Sequence, residues 1–178
     1  MRGLELEAVH KILSTSRGFR ENPSSNGGIA GLMLNLFFEH STRTRTSFEV
    51  AAKRLGLEVV NFDLAASSVS KGESLEDTIR TIDAMRPDFV VVRHPRAGAP
   101  EEVARFTRAS VINAGDGARE HPTQAILDTL TLCDHFGFES PAQLSGLRIA
   151  LVGDIAHSRV ARSNLMIWKA AGADIRLV

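Results

Sequence analysis

One cysteine, Cys133, is all the thiol the 178 residues contain, so no disulfide can form within the chain. No Cys or His pair stands at the spacing of a structural zinc site, and neither a metal nor a cofactor is expected. A lone thiol suits a reducing compartment, and a cytoplasmic location is expected. Charge of one sign is also missing: 21 basic residues balance 21 acidic ones, so no overall field favours nucleic acid or an anionic membrane. Any anion site must therefore be local. Nowhere do 18 apolar residues run together, and Met1 to Phe19 mixes charged and apolar residues without an apolar signal core. Neither a membrane span nor an export signal is expected. The Gly-x-Gly-x-x-Gly turn and the Walker sequence are absent as well, which sets nicotinamide and ATP aside.

What is present is ordinary globular material, 43% hydrophobic and 24% charged, without repeats. Leu6, Val9, Ile12 and Leu13 stand at helical spacing, and the cluster from Asn22 to Gly28 breaks the pattern. Short apolar runs follow at Gly31 to Phe38, Leu57 to Phe62, Phe89 to Val92, Ser110 to Asn113 and Leu147 to Val152. Between them lie segments of helical period: Thr46 to Leu55, Leu75 to Met85, Glu101 to Thr107 and Thr123 to Phe136. Ser74 with Asp77 resembles a capping box, Pro100 and Pro122 suit first turns, and Gly56, Gly137 and Gly172 suit helix ends. Regular alternation of this kind predicts an α/β fold, a parallel sheet with helices on both faces. The polar stretch around Ser140 to Gly146 predicts a junction. It divides a first domain over residues 1–140 from residues 141–178, where a strand, a helix (Val160 to Ala171) and a second strand (Asp174 to Val178) open a second α/β domain. An edge strand added to the first sheet is the alternative.

Open parallel sheets bind ligands beyond the carboxyl ends of their strands. In those positions the chain carries Glu39 to Arg45, Ser67 to Glu73, Arg93 to Arg96, and Gly115 to Gln124. Four loops thus supply hydroxyls, guanidinium groups, an ammonium and imidazoles. Ser41-Thr42-Arg43-Thr44-Arg45 at a helix start suits phosphate, because free backbone N–H groups, hydroxyls and a guanidinium fork all donate. Each element also has a plainer role open to it. Ser41 serves equally as an N-cap, Lys71 as a solvated loop residue, Arg93 as the partner of an acid such as Asp88, and His121 as a cap before Pro122. Cys133, Met166 and Trp168 read as core.

The residues from Phe37 to Glu49 resemble the carbamoyl-phosphate signature of the aspartate and ornithine carbamoyltransferases. Three further stretches match the family in order: Ser67 to Ser74, Val92 to Pro95, and Asn113 to Gly117 with His121 to Gln124. The His-Pro-Thr-Gln run is similar to the aspartate members, whereas ornithine members usually carry Cys in place of Thr123. The resemblance implies transfer of a carbamoyl group from carbamoyl phosphate to the amine of L-aspartate, in pyrimidine biosynthesis, without a cofactor. It further implies that Ser41, Thr42, Arg43, Thr44 and Arg93 hold the phosphate, that Thr44, Arg93 and His121 reach the carbonyl oxygen, and that Gln124 reads the carbamoyl NH₂. Ser67 and Lys71 would reach a neighbouring subunit's site in a homotrimer, which other pyrimidine-pathway subunits can join, and Arg159 would grip aspartate.

The family's second domain supplies further aspartate ligands that this sequence lacks. The chain is therefore expected to be an N-terminal portion with an incomplete aspartate site. An ornithine enzyme and a catalytically silent binding domain remain the alternatives.

Overall fold

The computed structural model describes residues 5–22, 28–63 and 74–178. By compactness these form two units, Pro23–Gly117 and Met1–Asn22 with Ala118–Val178. The first contains β1 (Leu32–Phe37), α2 (Thr42–Leu55), β2 (Glu58–Asp63), α3 (Leu75–Asp83), β3 (Phe89–His94), α4 (Ala99–Phe106) and β4 (Ser110–Asp116). Its four strands are parallel and ordered β2-β1-β3-β4. Apolar side chains fill both faces, as the continuous apolar runs require. Met33, Phe37 and Val91 pack with Ala52 of α2 on one face. Leu34, Leu36, Val90 and Val92 pack with Ile79 and Ile82 of α3 and Val103 of α4 on the other.

One polar residue interrupts the first face. Asn35, fully buried in β1, donates from Nδ2 to Asn61 Oδ1 (2.9 Å), and Asn61 Nδ2 donates to Glu49 Oε2 (3.0 Å) on α2. Lys53 Nζ completes the row at 2.6 Å from Glu49 Oε1. These bonds, Lys53 first and Asn61 next, hold the Glu49 carboxyl below its usual pKa. A sheet-to-helix tie of this kind fixes α2 in register as apolar packing alone does not.

Two boundaries differ from the sequence reading for identifiable reasons. Helix α2 begins at Thr42, four residues before the expected Thr46, with Ser41 in a non-helical N-cap backbone (φ −158°, ψ 80°). Strand β4 runs on to Asp116 although Ala114 and Gly115 are poor strand formers. After a bulge between Val92 and His94 the pairing resumes at His94 and Asp116, and Asn113 steadies the stretch by accepting from Gly115 N (2.8 Å) and donating to Asp116 Oδ1 (3.0 Å).

The second unit holds α1 (Leu6–Glu21), α5 (Pro122–Phe136), β5 (Arg148–Leu151), α6 (Arg159–Ala170) and β6 (Asp174–Leu177). Strands β5 and β6 pair in parallel as a separate two-stranded sheet, not as an edge of the first. The stretch read as a junction contains a 3₁₀ turn, Pro141–Leu144, closed by a capping box between Ser140 and Gln143. Val9, Leu13, Ala125, Cys133, Leu144, Ile167 and Trp168 form the core. Met166 does not join it. At 37% exposure it lies on the outer side of α6, out of phase with buried Ser163, Asn164, Ile167 and Trp168.

Helix α1 extends eight residues past Leu13, through a stretch without apolar period. Ser14 and Thr15 hydroxyls bond to Lys11 O, Ser16 bonds to Ile12 O, and Arg17 and Arg20 both pair with Asp134 of α5. The Arg20 hydrogen bond is the main cause of the lowered Asp134 pKa.

Two outcomes follow from these contacts. Gly117 has φ +50°, and a Cβ there would stand 2.7 Å from Pro95 O and 3.0 Å from Ala97 N, both backbone atoms. Gly117→Ala should cost more than about 1 kcal/mol of stability, read as a lower midpoint in urea. Asp134 binds its proton less readily folded than unfolded, so its bracing of α1 is complete above about pH 4 and fades as pH falls through the lower folded value. Asp134→Asn should lower Tm by about one or two degrees at pH 7, with the gap to the parent chain closing towards pH 2 in a calorimetric pH series.

Candidate functional site

In the first unit β1 and β3 are neighbours, yet the helix after β1 covers one face of the sheet and the helix after β3 the other. That reversal opens a crevice at the carboxyl ends of the two strands, the usual ligand position of an open α/β sheet. Arg93, next to last in β3, stands at that end of the sheet. Its side chain is only 12% exposed, with Nε 2.6 Å from Glu39 Oε1. The two groups are in ion-pair contact, although the Nε–H is not aligned on the oxygen for a hydrogen bond. Nη1 donates to Ala114 O (3.2 Å) and, at the limit of hydrogen-bond length, to Thr44 Oγ1 (3.5 Å). One guanidinium thus joins the end of β1, the first turn of α2 and the end of β4. The acid that answers it is Glu39. Asp88 instead accepts from Leu32 N (2.8 Å) at the opposite end of the strands.

The loop around Arg93 is held by its own chemistry. The His94 ring packs on Phe38 at 4.6 Å, and its Nδ1 accepts from Arg96 N (2.8 Å). Burial, followed by nearby Arg96, pushes the His94 pKa down. The ring is therefore neutral with its proton on Nε2. Asp116 Oδ2 accepts from Gly98 N (2.6 Å), and Gly117 N donates to His94 O (2.9 Å), so the turns after β3 and β4 are tied together.

Helix α2 begins beside this crevice. Its first turn, Thr42-Arg43-Thr44-Arg45, contains no acid. Two guanidinium groups at the positive end of a helix dipole are unfavourable alone and become favourable when an anion arrives. Ser41 does not spend its side chain on the cap. Phe37, Glu39, His40, Ser41, Thr42 and Arg45 line a small hollow of about 40 Å³. Arg43 does not share it. Arg43 lines an open groove on the outer side of α2 with Thr42, Thr46, Ser47, Val50, Ala51 and Arg54. Of the residues singled out from sequence in this unit, Thr44 and Arg93 are brought into contact and Ser41 and Thr42 adjoin them. Ser67 and Lys71 lie outside the described residues.

In the second unit His121 is the N-cap of α5, with Pro122 in the first turn and again no acid. His121 N donates to Ser163 Oγ on α6 (2.8 Å), and its Nδ1 lies 3.5 Å from Thr123 Oγ1. One turn along, Gln124 Nε2 donates to Asp128 Oδ1 (2.8 Å). Arg159 is the first residue of α6, after Ser158, whose Oγ caps Ala161 N (3.2 Å). Sequence reasoning gave no role to Glu39 or Asp128. Asp128 was legible, four residues from Gln124 on one helix face; the Glu39 contact depends on the pairing of β1 with β3 and was not.

No group of three or more His, Cys, Asp or Glu side chains stands at metal-binding distance among the described residues. No helix there is long and apolar enough to cross a membrane.

The aspartate/ornithine carbamoyltransferase carbamoyl-P binding domain matches residues 1–134. The aspartate carbamoyltransferase catalytic subunit of Gluconacetobacter diazotrophicus is 59% identical over 98% of this chain and 52% of its own length. That of Solibacter usitatus is 52% identical over 95% of this chain and 56% of its own. Among solved structures, the catalytic subunit of M. jannaschii aspartate transcarbamoylase superposes with a TM-score of 0.84 at 37% identity, over 99% of this chain and 57% of that one. The Trypanosoma cruzi aspartate transcarbamoylase in complex with carbamoyl phosphate and aspartate gives 0.80 at 40% identity, over 97% and 55%. The chain spans about half the length of the curated relatives it matches. With a matching domain over three quarters of its residues and relatives this similar across nearly all of it, the chain belongs to the aspartate/ornithine carbamoyltransferase family.

Proposed function

We propose that this chain supplies the carbamoyl-phosphate side of an aspartate carbamoyltransferase. That enzyme moves a carbamoyl group from carbamoyl phosphate to L-aspartate, giving N-carbamoyl-L-aspartate and phosphate for pyrimidine biosynthesis in the cytoplasm. The observation that carries the reading is Arg93, a nearly buried guanidinium at the sheet's switch point, beside the acid-free, arginine-bearing first turn of α2. The aspartate reading is preferred to the ornithine one because of Thr123 and because the relatives cited are aspartate enzymes.

Ser41, Thr42, Arg43, Thr44 and Arg93 would hold the phosphate oxygens, and the dianion would compete with Glu39 for the Arg93 guanidinium. Attack of the neutral aspartate amine forms a C–N bond and opens the carbonyl to an oxyanion. Thr44, Arg93 and His121 donate to that oxygen, each such donor being worth roughly 3–4 kcal/mol. Collapse of the oxyanion breaks the bond from carbon to the phosphate oxygen. The amine's proton passes to the departing phosphate, which leaves as hydrogen phosphate with Arg43 offsetting its charge. Gln124 contacts the carbamoyl NH₂. Arg159, with Ser67 and Lys71 of a neighbouring copy, would hold aspartate, which makes a homotrimer with shared sites the working unit and leaves a place for other pyrimidine-pathway subunits. Residues 1–140 form the carbamoyl-phosphate domain in this reading, and residues 141–178 open the aspartate domain.

Arg43→Ala tests the phosphate assignment cleanly, because Arg43 is exposed. The variant should keep the ligand-free Tm of the parent within about one degree and lose tenfold or more in affinity for carbamoyl phosphate by calorimetry, the effect of removing one charge-assisted contact. Undiminished affinity would remove Arg43 from the site. N-(phosphonacetyl)-L-aspartate should raise Tm more than inorganic phosphate at equal concentration, and equal shifts would reduce the chain to a generic phosphate binder.

A further inference from the structure

Gln124 carries an amide with a donor at one end and an acceptor at the other, and its value in a site depends on which end faces the ligand. An ionised carboxylate only accepts. The 2.8 Å contact with Asp128 Oδ1 must therefore use Gln124 Nε2, which leaves Oε1 as the end available to a ligand. The second oxygen of the same carboxylate, Asp128 Oδ2, accepts from Asn164 Nδ2 of α6, also at 2.8 Å. Asn164 is buried.

The Asn164 amide is held at a cost. Its Oδ1 is buried without a hydrogen-bond partner among the described residues, a situation that folded chains seldom tolerate. Turning the amide over would bring Oδ1 against the Asp128 carboxylate, acceptor against acceptor. The orphaned oxygen is thus the consequence of donating to Asp128. Two further bonds keep α6 in place against α5: Trp168 Nε1 donates to Thr129 Oγ1 (3.0 Å), and Ser163 Oγ accepts from His121 N (2.8 Å).

We infer that Asp128, braced by Asn164, is a positioning residue that fixes the Gln124 amide with its acceptor outward and so makes the site selective for a ligand bearing N–H groups at that point. The inference rests on the reading that Gln124 contacts the carbamoyl group. A carbamoyl NH₂ meets Oε1 as a hydrogen-bond donor. An acetyl methyl of nearly the same size gains nothing from it. Were the amide free to turn, its NH₂ would oppose the ligand's NH₂, and the preference would fall.

The test uses two stable phosphonates that differ only there: phosphonoacetamide, with an NH₂, and phosphonoacetone, with a methyl. Calorimetry on the parent chain should give about a tenfold or greater preference for the amide. Asp128→Asn keeps the shape but offers one acceptor and one donor in place of two acceptors, so the Gln124 amide is no longer held to one orientation. It should cut the preference to about threefold or less and leave affinity for inorganic phosphate unchanged within about twofold. Gln124→Ala should lose the preference equally, and Asp128→Asn should do nothing more on that background.

A parent that binds neither compound or both equally, or a Gln124→Ala chain that keeps its preference, removes the underlying site reading and the inference with it. If Gln124→Ala loses the preference while Asp128→Asn retains it, only the inference is overturned. The same holds if Asp128→Asn weakens phosphate as much as the amide, or still changes the preference when Gln124 is absent. If Asp128→Asn does not fold, Asn164→Ala takes its place, with a preference lowered about threefold expected and an unchanged one overturning the inference.

Discussion

A guanidinium taken out of water keeps its charge, and the surrounding structure has to answer it. At Arg93 the answer comes from three directions: the carboxylate of Glu39 at the end of β1, the Thr44 hydroxyl in the first turn of α2, and the Ala114 carbonyl near the end of β4. Each partner belongs to a different segment, and each segment is positioned by the parallel pairing of β1, β3 and β4. Withdrawing any one would leave charge or a polar atom unanswered. The loops are therefore fixed jointly, and a phosphate group reaching this crevice meets donors already arranged.

The same economy governs α5. Its first turn is held by Ser163 at one point and by the Asp128–Asn164 pair at another. The two units thus share a device: a helix start with no acid in it, kept in position by polar contacts to a neighbouring element.

Much of this was legible in the chain. Val90-Val91-Val92 reads as a strand covered on both sides, and it is. The turn residues Gly56 and Gly137 mark helix ends and take the left-handed conformation expected there. The Ser41 to Arg45 run was legible as a helix start rich in donors, and the structure places it at the first turn of α2. What stayed hidden depends on partners distant in sequence. The Asn22 to Gly28 cluster marked where α1 ends, but apolar period carries the helix only as far as Leu13, and the ion pairs that support the rest involve Asp134, more than a hundred residues away. Residue type set Met166 among core residues, although the contact face of α6 leaves it exposed. Glu39 was visible only as part of a motif, because its contact with Arg93 needs β1 beside β3.

Asn35 bears on how α2, the helix proposed to hold phosphate, answers a ligand. Through Asn61 and Glu49 it fastens the later turns of α2 to the sheet, while the first turn sets two guanidinium groups at the positive end of the helix dipole, with Glu49 one turn beyond Arg45. Such a helix is anchored at one end and electrostatically frustrated at the other. An arriving anion relieves the frustration without having to drag the anchor, so the favourable outcome is a stiffer amino-terminal turn, quieted in place.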